Sequence, residues 1–228
     1  MLFSIGATED AAWRRSAAAG SDGFIAGRGT SLGRVSDSLA PETVLPLLEG
    51  RFGREYRYVD RCPSTQRLVG AGDPEGTTAV TDEQTEGRGR LGRRWQAPAG
   101  TSILCSVVLR PPVPPKRLPE LTLVGARACA DAIQSMTGLE STVKEPNDVL
   151  ISARKVAGIL GEAREGHVVL GIGVNVNVRA ADLPERLEIP ATSLLEETGE
   201  QIPRAALLAE LLVRLEWTYN AWVQSTEP

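Results

Sequence analysis

The sequence predicts an α+β domain, and three observations carry that reading. Segments with strand character come in neighbouring groups that can pair antiparallel, one long amphipathic segment separates two such groups, and another closes the chain. The clearest strand signal is residues 168–178, where Val174, Val176 and Val178 fall on one face and Asn175 and Asn177 on the other. The clearest helix signal follows Pro203, where apolar residues at 207, 208, 211, 212, 215 and 222 make one stripe. No internal repeat is present.

Residues 1–40 differ from the rest. Ala, Gly, Ser and scattered Arg dominate without a sustained period, which predicts a poorly structured extension. They hold no set of apolar-periodic helices, so no N-terminal DNA-binding domain is expected. The folded domain is expected over 41–228. Pro41–Leu45 reads as a short helix and Glu55–Asp60 as a strand, and Ser64-Thr65 are N-cap candidates for a further helix. Thr77–Gln84 and Ser102–Leu109 read as strands. Pro119–Met136 reads as a helix, with apolar residues at 121, 124, 128, 132 and 133 and Gly138 as its stop. Val149–Ile151 and Lys155–Ala163 read as strands joined by a hairpin at Ser152-Ala153-Arg154.

The bulk numbers exclude several classes. At 228 residues the chain makes one large domain, or one domain with an appendage, and 42% hydrophobic residues suffice for an ordinary core. The low aromatic fraction, 4%, points to an interior of Ala, Leu and Val. No secretory signal and no apolar run of about 18 residues is present, so a soluble cytoplasmic protein is expected, not a membrane one. Cys62, Cys105 and Cys129 are odd in number and lack C-x-x-C spacing, which argues against a disulfide framework and a zinc site. The single histidine, His167, lies in the turn-like Glu165-Gly166-His167 and is expected to be exposed. A Ser-His-Asp relay would have to use it, and nothing around it resembles a nucleophile elbow.

The most informative segment runs from Gln84 to Trp95. It sets Arg88, Arg90, Arg93 and Arg94 among Gly87, Gly89 and Gly92. Glycine lets backbone approach a ligand closely, and arginine offers a fixed fork of donors for carboxylate or phosphate. The net charge of −4 gives no overall field to attract a polynucleotide, so a small, highly charged anion is the fitting ligand. The three glycines also fit G-x-G-x-x-G, but Gln96-Ala97-Pro98-Ala99-Gly100 cannot open the helix that a dinucleotide fold needs there. Taken alone, the segment could equally be a solvated basic loop.

A second constellation supplies what the loop lacks. Lys144-Glu145-Pro146-Asn147-Asp148 breaks a strand at proline, and Lys155-Val156-Ala157-Gly158-Ile159-Leu160 starts a strand of small and apolar residues. A lysine entering a core is uncommon unless it meets an anion. Gly158 and Gly171-Ile172-Gly173 would let another group lie close to the sheet. Both lysines could equally be surface residues at strand ends. Together with the arginine loop they describe a pocket for a carboxylate and a phosphate.

In this order the motifs resemble the catalytic domain of the biotin–protein ligases, also called biotin–[carboxylase] ligases. The resemblance covers residues 41–225. It rests on Ser64-Thr65, on Gln84 with Gly87-Arg88-Gly89-Arg90, on Lys144-x-Pro146-Asn147-Asp148, on Lys155-Val156-Ala157-Gly158-Ile159-Leu160, and on Gly171-Ile172-Gly173-Val174-Asn175. It implies a class II aminoacyl-tRNA synthetase-like fold with a mixed, largely antiparallel sheet packed with helices. The implied reaction joins biotin to ATP as biotinyl-5′-AMP, aided by Mg²⁺, and then passes the biotinyl group to a lysine of a carboxylase's biotin carboxyl carrier domain. A homodimer is compatible with it. The implied biotin positions are Ser64, Thr65, Gln66, Gln84, Arg88, Gly89, Arg90, Lys155, Gly158 and Gly171, with Lys155, Arg88 and Arg90 also catalytic. The implied ATP positions are Arg93, Trp95, Lys144, Asn147 and Asn175. No protein metal site is implied.

Three departures accompany the resemblance. Glu145 stands where the family usually has tryptophan, and Gln66 stands where asparagine usually follows the Ser-Thr pair. The sequence also stops at Pro228, without the SH3-like domain that most members carry next. The alternative reading is a non-catalytic homologue that binds biotin or the carrier domain.

Overall fold

The computed structural model describes residues 37–164, 166–184 and 188–225. The expected extension therefore lies outside the described residues, except for Asp37–Ala40.

A seven-stranded sheet organises the domain, in the order β1-β2-β3-β7-β6-β5-β4. Its strands are β1 (Tyr56–Cys62), β2 (Thr78–Gln84), β3 (Ser102–Leu109), β4 (Thr142–Lys144), β5 (Asp148–Ile151), β6 (Arg154–Arg164) and β7 (His167–Asn175). Only β1 and β2 pair in parallel, and every other pairing is antiparallel. The α+β class and the mixed, largely antiparallel sheet are as expected. The β5–β6 hairpin turns through Ser152 and Ala153, both left-handed at φ 49° and 61°, the conformation that a two-residue hairpin requires.

Four helices accompany the sheet among the described residues: α1 (Pro41–Val44), α2 (Leu121–Thr137), α3 (Leu194–Thr198) and α4 (Arg204–Gln224). The long pair, α2 and α4, pack on each other and close one face of the sheet. The α4 stripe is as the spacing predicts: Leu207, Leu208, Leu211, Leu212 and Leu215 are at most 1% exposed. Each such burial stabilises by about 1.5–3 kcal/mol before the entropy of ordering is set against it. The α2 helix starts later than expected, because Pro115–Glu120 form 3₁₀ turns first. It ends at Gly138, left-handed at φ 73°, whose N–H caps the Gln134 carbonyl. A Cβ on Gly125 would come within 3.0 Å of Leu170 and 3.2 Å of Ile159, so that residue lets α2 lie close on β6 and β7.

Three expectations need correction. Ser64 makes no cap bond, and Thr65–Arg67 form a single 3₁₀ turn where a helix is expected. His167 is not an exposed turn residue: it is the first residue of β7 and is buried. The last strand stops at Asn175, earlier than the alternation suggests, and Asn177 turns aside to exchange two hydrogen bonds with the backbone of Ile202, both 3.0 Å. The three cysteines are free and buried, and burial lifts their thiols, that of Cys105 to about 12. No helix among the described residues is long and apolar enough to cross a membrane.

The start of the folded part also differs. Leu39 is fully buried and its carbonyl accepts from the Tyr56 hydroxyl at 2.7 Å. Asp37 accepts from the Arg204 backbone N–H at 2.9 Å and from its Nε at 3.0 Å. The same guanidinium, 3% exposed, reaches Asp82 at 2.7 Å and the Ser102 carbonyl at 3.1 Å. One buried arginine thus ties Asp37, β2, β3 and α4 together, and polar Ala- and Ser-rich sequence gives no hint of it.

Removing this cation would leave a void and two uncompensated carboxylates, Asp82 held by the Tyr58 hydroxyl and Asp37 by the Asn177 amide and the backbone N–H of residue 204. Arg204→Ala is expected to lower stability by about 3–5 kcal/mol, measured by urea unfolding. A loss below about 1 kcal/mol would show that the network is not what fixes Asp37 to the domain.

Candidate active site

The sheet face opposite α2 and α4 carries the functional residues. Ile159 and Leu170 point at Gly125 of α2, so alternation turns Gly158, Leu160 and Glu162 of β6 and Gly171 and Gly173 of β7 to the other side. Lys155 would break this alternation. A β-bulge restores it: Leu150 pairs with Lys155 and Val149 with Ala157, so Val156 is the extra residue. Val156 goes into the core, and the Lys155 side chain comes within 3.1 Å of where a Gly158 Cβ would be.

A narrow cleft lies on this face, with a free volume of about 30 Å³. Its polar end is the turn after β1, set beside the end of β2 because Cys62 pairs with Gln84. The Thr65 N–H and hydroxyl both donate to Gln84 Oε1, at 2.9 and 3.2 Å, and the Thr65 hydroxyl also bonds Ser106 Oγ at 2.7 Å. Those bonds use the Gln84 oxygen and leave its NH₂ to donate into the cleft. Gln66 donates to the Leu160 carbonyl at 3.0 Å, while its own Oε1 is buried without a hydrogen-bond partner. A buried acceptor left open costs stability unless a ligand donor meets it.

The floor is bare backbone covered by one ring. Cβ atoms on Gly173 and Gly158 would lie 2.7 and 3.0 Å from the Trp95 indole, whose Nε1 is buried and unpaired. The Lys155 ammonium stands 5.8 Å from the centre of that ring and 2.7 Å from Asp148. The lysine is 23% exposed, so its charge meets less water than a surface lysine's would.

The arginine segment folds as a small hairpin over this cleft. Arg88 bridges to Arg94, Gly89 N–H donates to the Arg93 carbonyl at 2.8 Å, and Trp95 N–H donates to Gly87 at 3.0 Å. Only glycine fits at position 87, since a Cβ there would be 2.3 Å from the Trp95 carbonyl. Leu91 at the tip is left-handed, φ 57°, and 88% exposed. Each arginine has a protein partner: Arg88 has Glu162 at 3.1 Å, Arg90 has Asn147 Oδ1 at 3.1 Å, Arg93 has Glu188 at 3.4 Å, and Arg94 has the Thr85 carbonyl at 3.0 Å.

The structure therefore brings Ser64, Thr65, Gln66, Gln84, Arg88, Trp95, Gly158 and Gly171 to one cleft, with Lys155 at its margin. Gly89, Arg90 and Arg93 line the adjoining groove together with Arg88. Asn147 is half-buried and donates to the Ile159 carbonyl at 3.1 Å. The Asn175 amide is spent on the Thr192 carbonyl at 3.0 Å. Lys144 stands exposed on the edge strand β4, outside the cleft lining, and Glu145 is exposed in the turn that follows. Sequence reasoning missed Glu162 and Ser106, which partner Arg88 and Thr65 far from them in sequence, and named Asp148 in its motif without its role as the partner of nearby Lys155. Gly173 lines the cleft beside Gly171, as the Gly171-Ile172-Gly173 spacing predicts.

The sequence pattern of the Biotin/lipoate A/B protein ligase family matches residues 58–178, a span that holds every cleft residue named above. The chain belongs to that family. Among its relatives, a bifunctional ligase/repressor BirA of Bacillus spizizenii is 39% identical over 181 residues, 75% of this chain and 56% of the relative. A biotin–[acetyl-CoA-carboxylase] ligase of Mycobacterium tuberculosis is 36% identical over 160 residues, 68% of this chain and 59% of the relative. The chain thus spans little more than half the length of these curated relatives. A biotin protein ligase from Aquifex aeolicus, solved in complex with biotin and ATP, superimposes with a TM-score of 0.67 at 33% identity, covering 75% of this chain and 72% of that one. Within the family the domain is therefore of the biotin–protein ligase type, with the class II aminoacyl-tRNA synthetase-like fold.

The bare floor gives a direct test. A Cβ at Gly171 would sit 2.8 Å from Gln66 Nε2, so Gly171→Ala must shift the carboxamide that holds the Leu160 carbonyl. Affinity for a ring-shaped ligand in this cleft, probed with biotin, is expected to fall at least about tenfold, or 1.4 kcal/mol, by calorimetric titration. An unchanged affinity would mean that the Gln66 carboxamide does not shape the pocket.

Proposed function

We propose that the domain is an ATP-dependent biotin–protein ligase, acting on a lysine of a biotin carboxyl carrier domain. The observation that carries this is the pairing of two unlike ends in one small cleft. At one end a free amide donor of Gln84 and an open acceptor of Gln66 complement the C=O and N–H of a cyclic urea. At the other, Lys155 and the arginine hairpin supply cations where a carboxylate and a phosphate would meet.

The chemistry asked of these residues follows from the two anions. In the first step a biotin carboxylate oxygen attacks the α-phosphorus of ATP, and pyrophosphate leaves. In the second, the carrier lysine's amine attacks the acyl carbon and AMP leaves. Lys155, oriented by Asp148, offsets the charge that gathers at the carboxylate–phosphate junction. Arg88 and Arg90 lie on an exposed hairpin that can cover the mixed anhydride and keep water from it. Trp95, Arg93, Asn147, Asn175 and Lys144 are the residues proposed for the nucleotide side, with Asn147 held near the loop by Arg90. No group of three or more His, Cys, Asp or Glu among the described residues could cage a metal ion. Mg²⁺ would come with the nucleotide's phosphates and offset their charge there, with one or two carboxylates at most from the protein.

Incubating the protein with Mg·ATP, biotin and a carrier domain, and weighing the carrier by mass spectrometry, tests the reading. One added biotinyl group is expected, and an unmodified carrier with biotin still bound would favour the non-catalytic alternative. Lys155→Ala is expected to lower biotin-dependent pyrophosphate release by roughly a hundredfold or more. A variant retaining a tenth of the parent rate would remove Lys155 from the central role.

A further inference from the structure

One carboxylate outside the residues assigned above joins two parts of the site that the sequence places far apart. Glu162 projects from β6 on the cleft side, two residues beyond Leu160. Its Oε1 is 3.1 Å from Arg88 on the hairpin, and its Oε2 is 3.1 Å from Arg164. Arg164 in turn donates to the Gln66 carbonyl at 3.1 Å and to the Val69 carbonyl at 3.4 Å. Hairpin, strand and the Ser64–Gln66 turn are thereby linked through two side chains, Glu162 and Arg164.

The geometry points to Glu162 as a positioning residue that latches the arginine hairpin and holds it in register with the turn that reads the ligand's ring. The hairpin has few other holds. At its base Trp95 packs on the Gly158 and Gly173 floor and Glu86 pairs with Arg67. Beyond that its four arginines are exposed, its tip residue Leu91 touches solvent over most of its surface, and its ties are hydrogen bonds within itself, to Asn147 and to Thr85, plus the wide Glu188 pair. Arg88 is the one of these arginines that lines both the cleft and the outer groove, so its orientation sets the cover over the bound acyl group. A neutral carboxamide at position 162 keeps the size and removes the charge that two guanidinium groups share.

Limited trypsin digestion of Glu162→Gln tests the latch without any turnover, because the hairpin's own arginines are the cleavage sites. Cleavage after Arg88, Arg90, Arg93 and Arg94, mapped by mass spectrometry, is expected to speed up about three- to fivefold, the scale of one partly exposed ion pair, while sites elsewhere keep their rates. A second arm, which rests on the ligase reading, measures biotin labelling of a bystander protein relative to the carrier domain. That ratio is expected to rise in the variant as the intermediate escapes. Unchanged cleavage of the hairpin overturns the proposal, and so does a uniform rise at all sites, which would mark a merely structural role. A parent protein that labels nothing would sink the ligase reading, and the digestion would still decide whether Glu162 holds the hairpin.

Discussion

Three glycines, Gly158, Gly171 and Gly173, strip the side chains from one face of two adjacent strands, and the rest of the site is arranged around the floor this leaves. Flat ligands gain most from such a surface, because backbone can be approached to van der Waals contact without a Cβ in the way. The opposite face of the same strands is crowded with Ile159, Leu170 and Ile172, pressed against α2. The division is strict because strand side chains alternate, so one sequence register serves a dry core and an open site at once. Where the floor is exposed, Trp95 now covers it with its indole N–H unpaired, a placement that favours an aromatic or ring-shaped ligand at the same level.

Electrostatics then divides the cleft. The turn end is neutral, with hydroxyls and carboxamides whose bonds to one another fix which atoms remain open. The other end is cationic, although the chain as a whole is acidic. A negative chain with a local positive hollow suits a small anion whose charge must be met at short range, since screening over about 8 Å in physiological salt weakens any longer pull. Asp148, Asn147 and Glu162 hold those cations in place through protein contacts, which lowers the order that a ligand must impose on them.

Much of this could be read in the sequence, and the reasons are physical. The strands carry a clear period, the α4 stripe is long enough to be unmistakable, and the arginine–glycine run has a composition that few folded segments share. The Ser64-Thr65, Gln84 and Lys155 motifs meet in the structure because β1 and β2 run side by side and β6 lies two strands beyond β3. What escaped is pairwise. Arg88 and Glu162 are 74 residues apart, and nothing local to either announces the other. Asp37 lies in a stretch whose composition says disorder, yet one bond to the first turn of α4 and one shared guanidinium draw it in. His167 and Asn177 were misjudged for a related reason: turn-like or alternating sequence gives the direction of a side chain only if the strand ends where expected.

The β-bulge at Val156 has a bearing on how this site can change over time. The direction of the Lys155 ammonium depends on a count of residues more than on their identity, since Val156 is there to absorb one step of the pleat. Replacing Val156 by another apolar residue would leave the count alone. Losing or gaining a single residue between the hairpin turn and Gly158 would instead exchange the two faces, driving a cation into the dry layer and turning a methyl-bearing side chain toward the ligand. The lineage of this domain is therefore free to drift in letters along the start of β6 and held almost rigid in length.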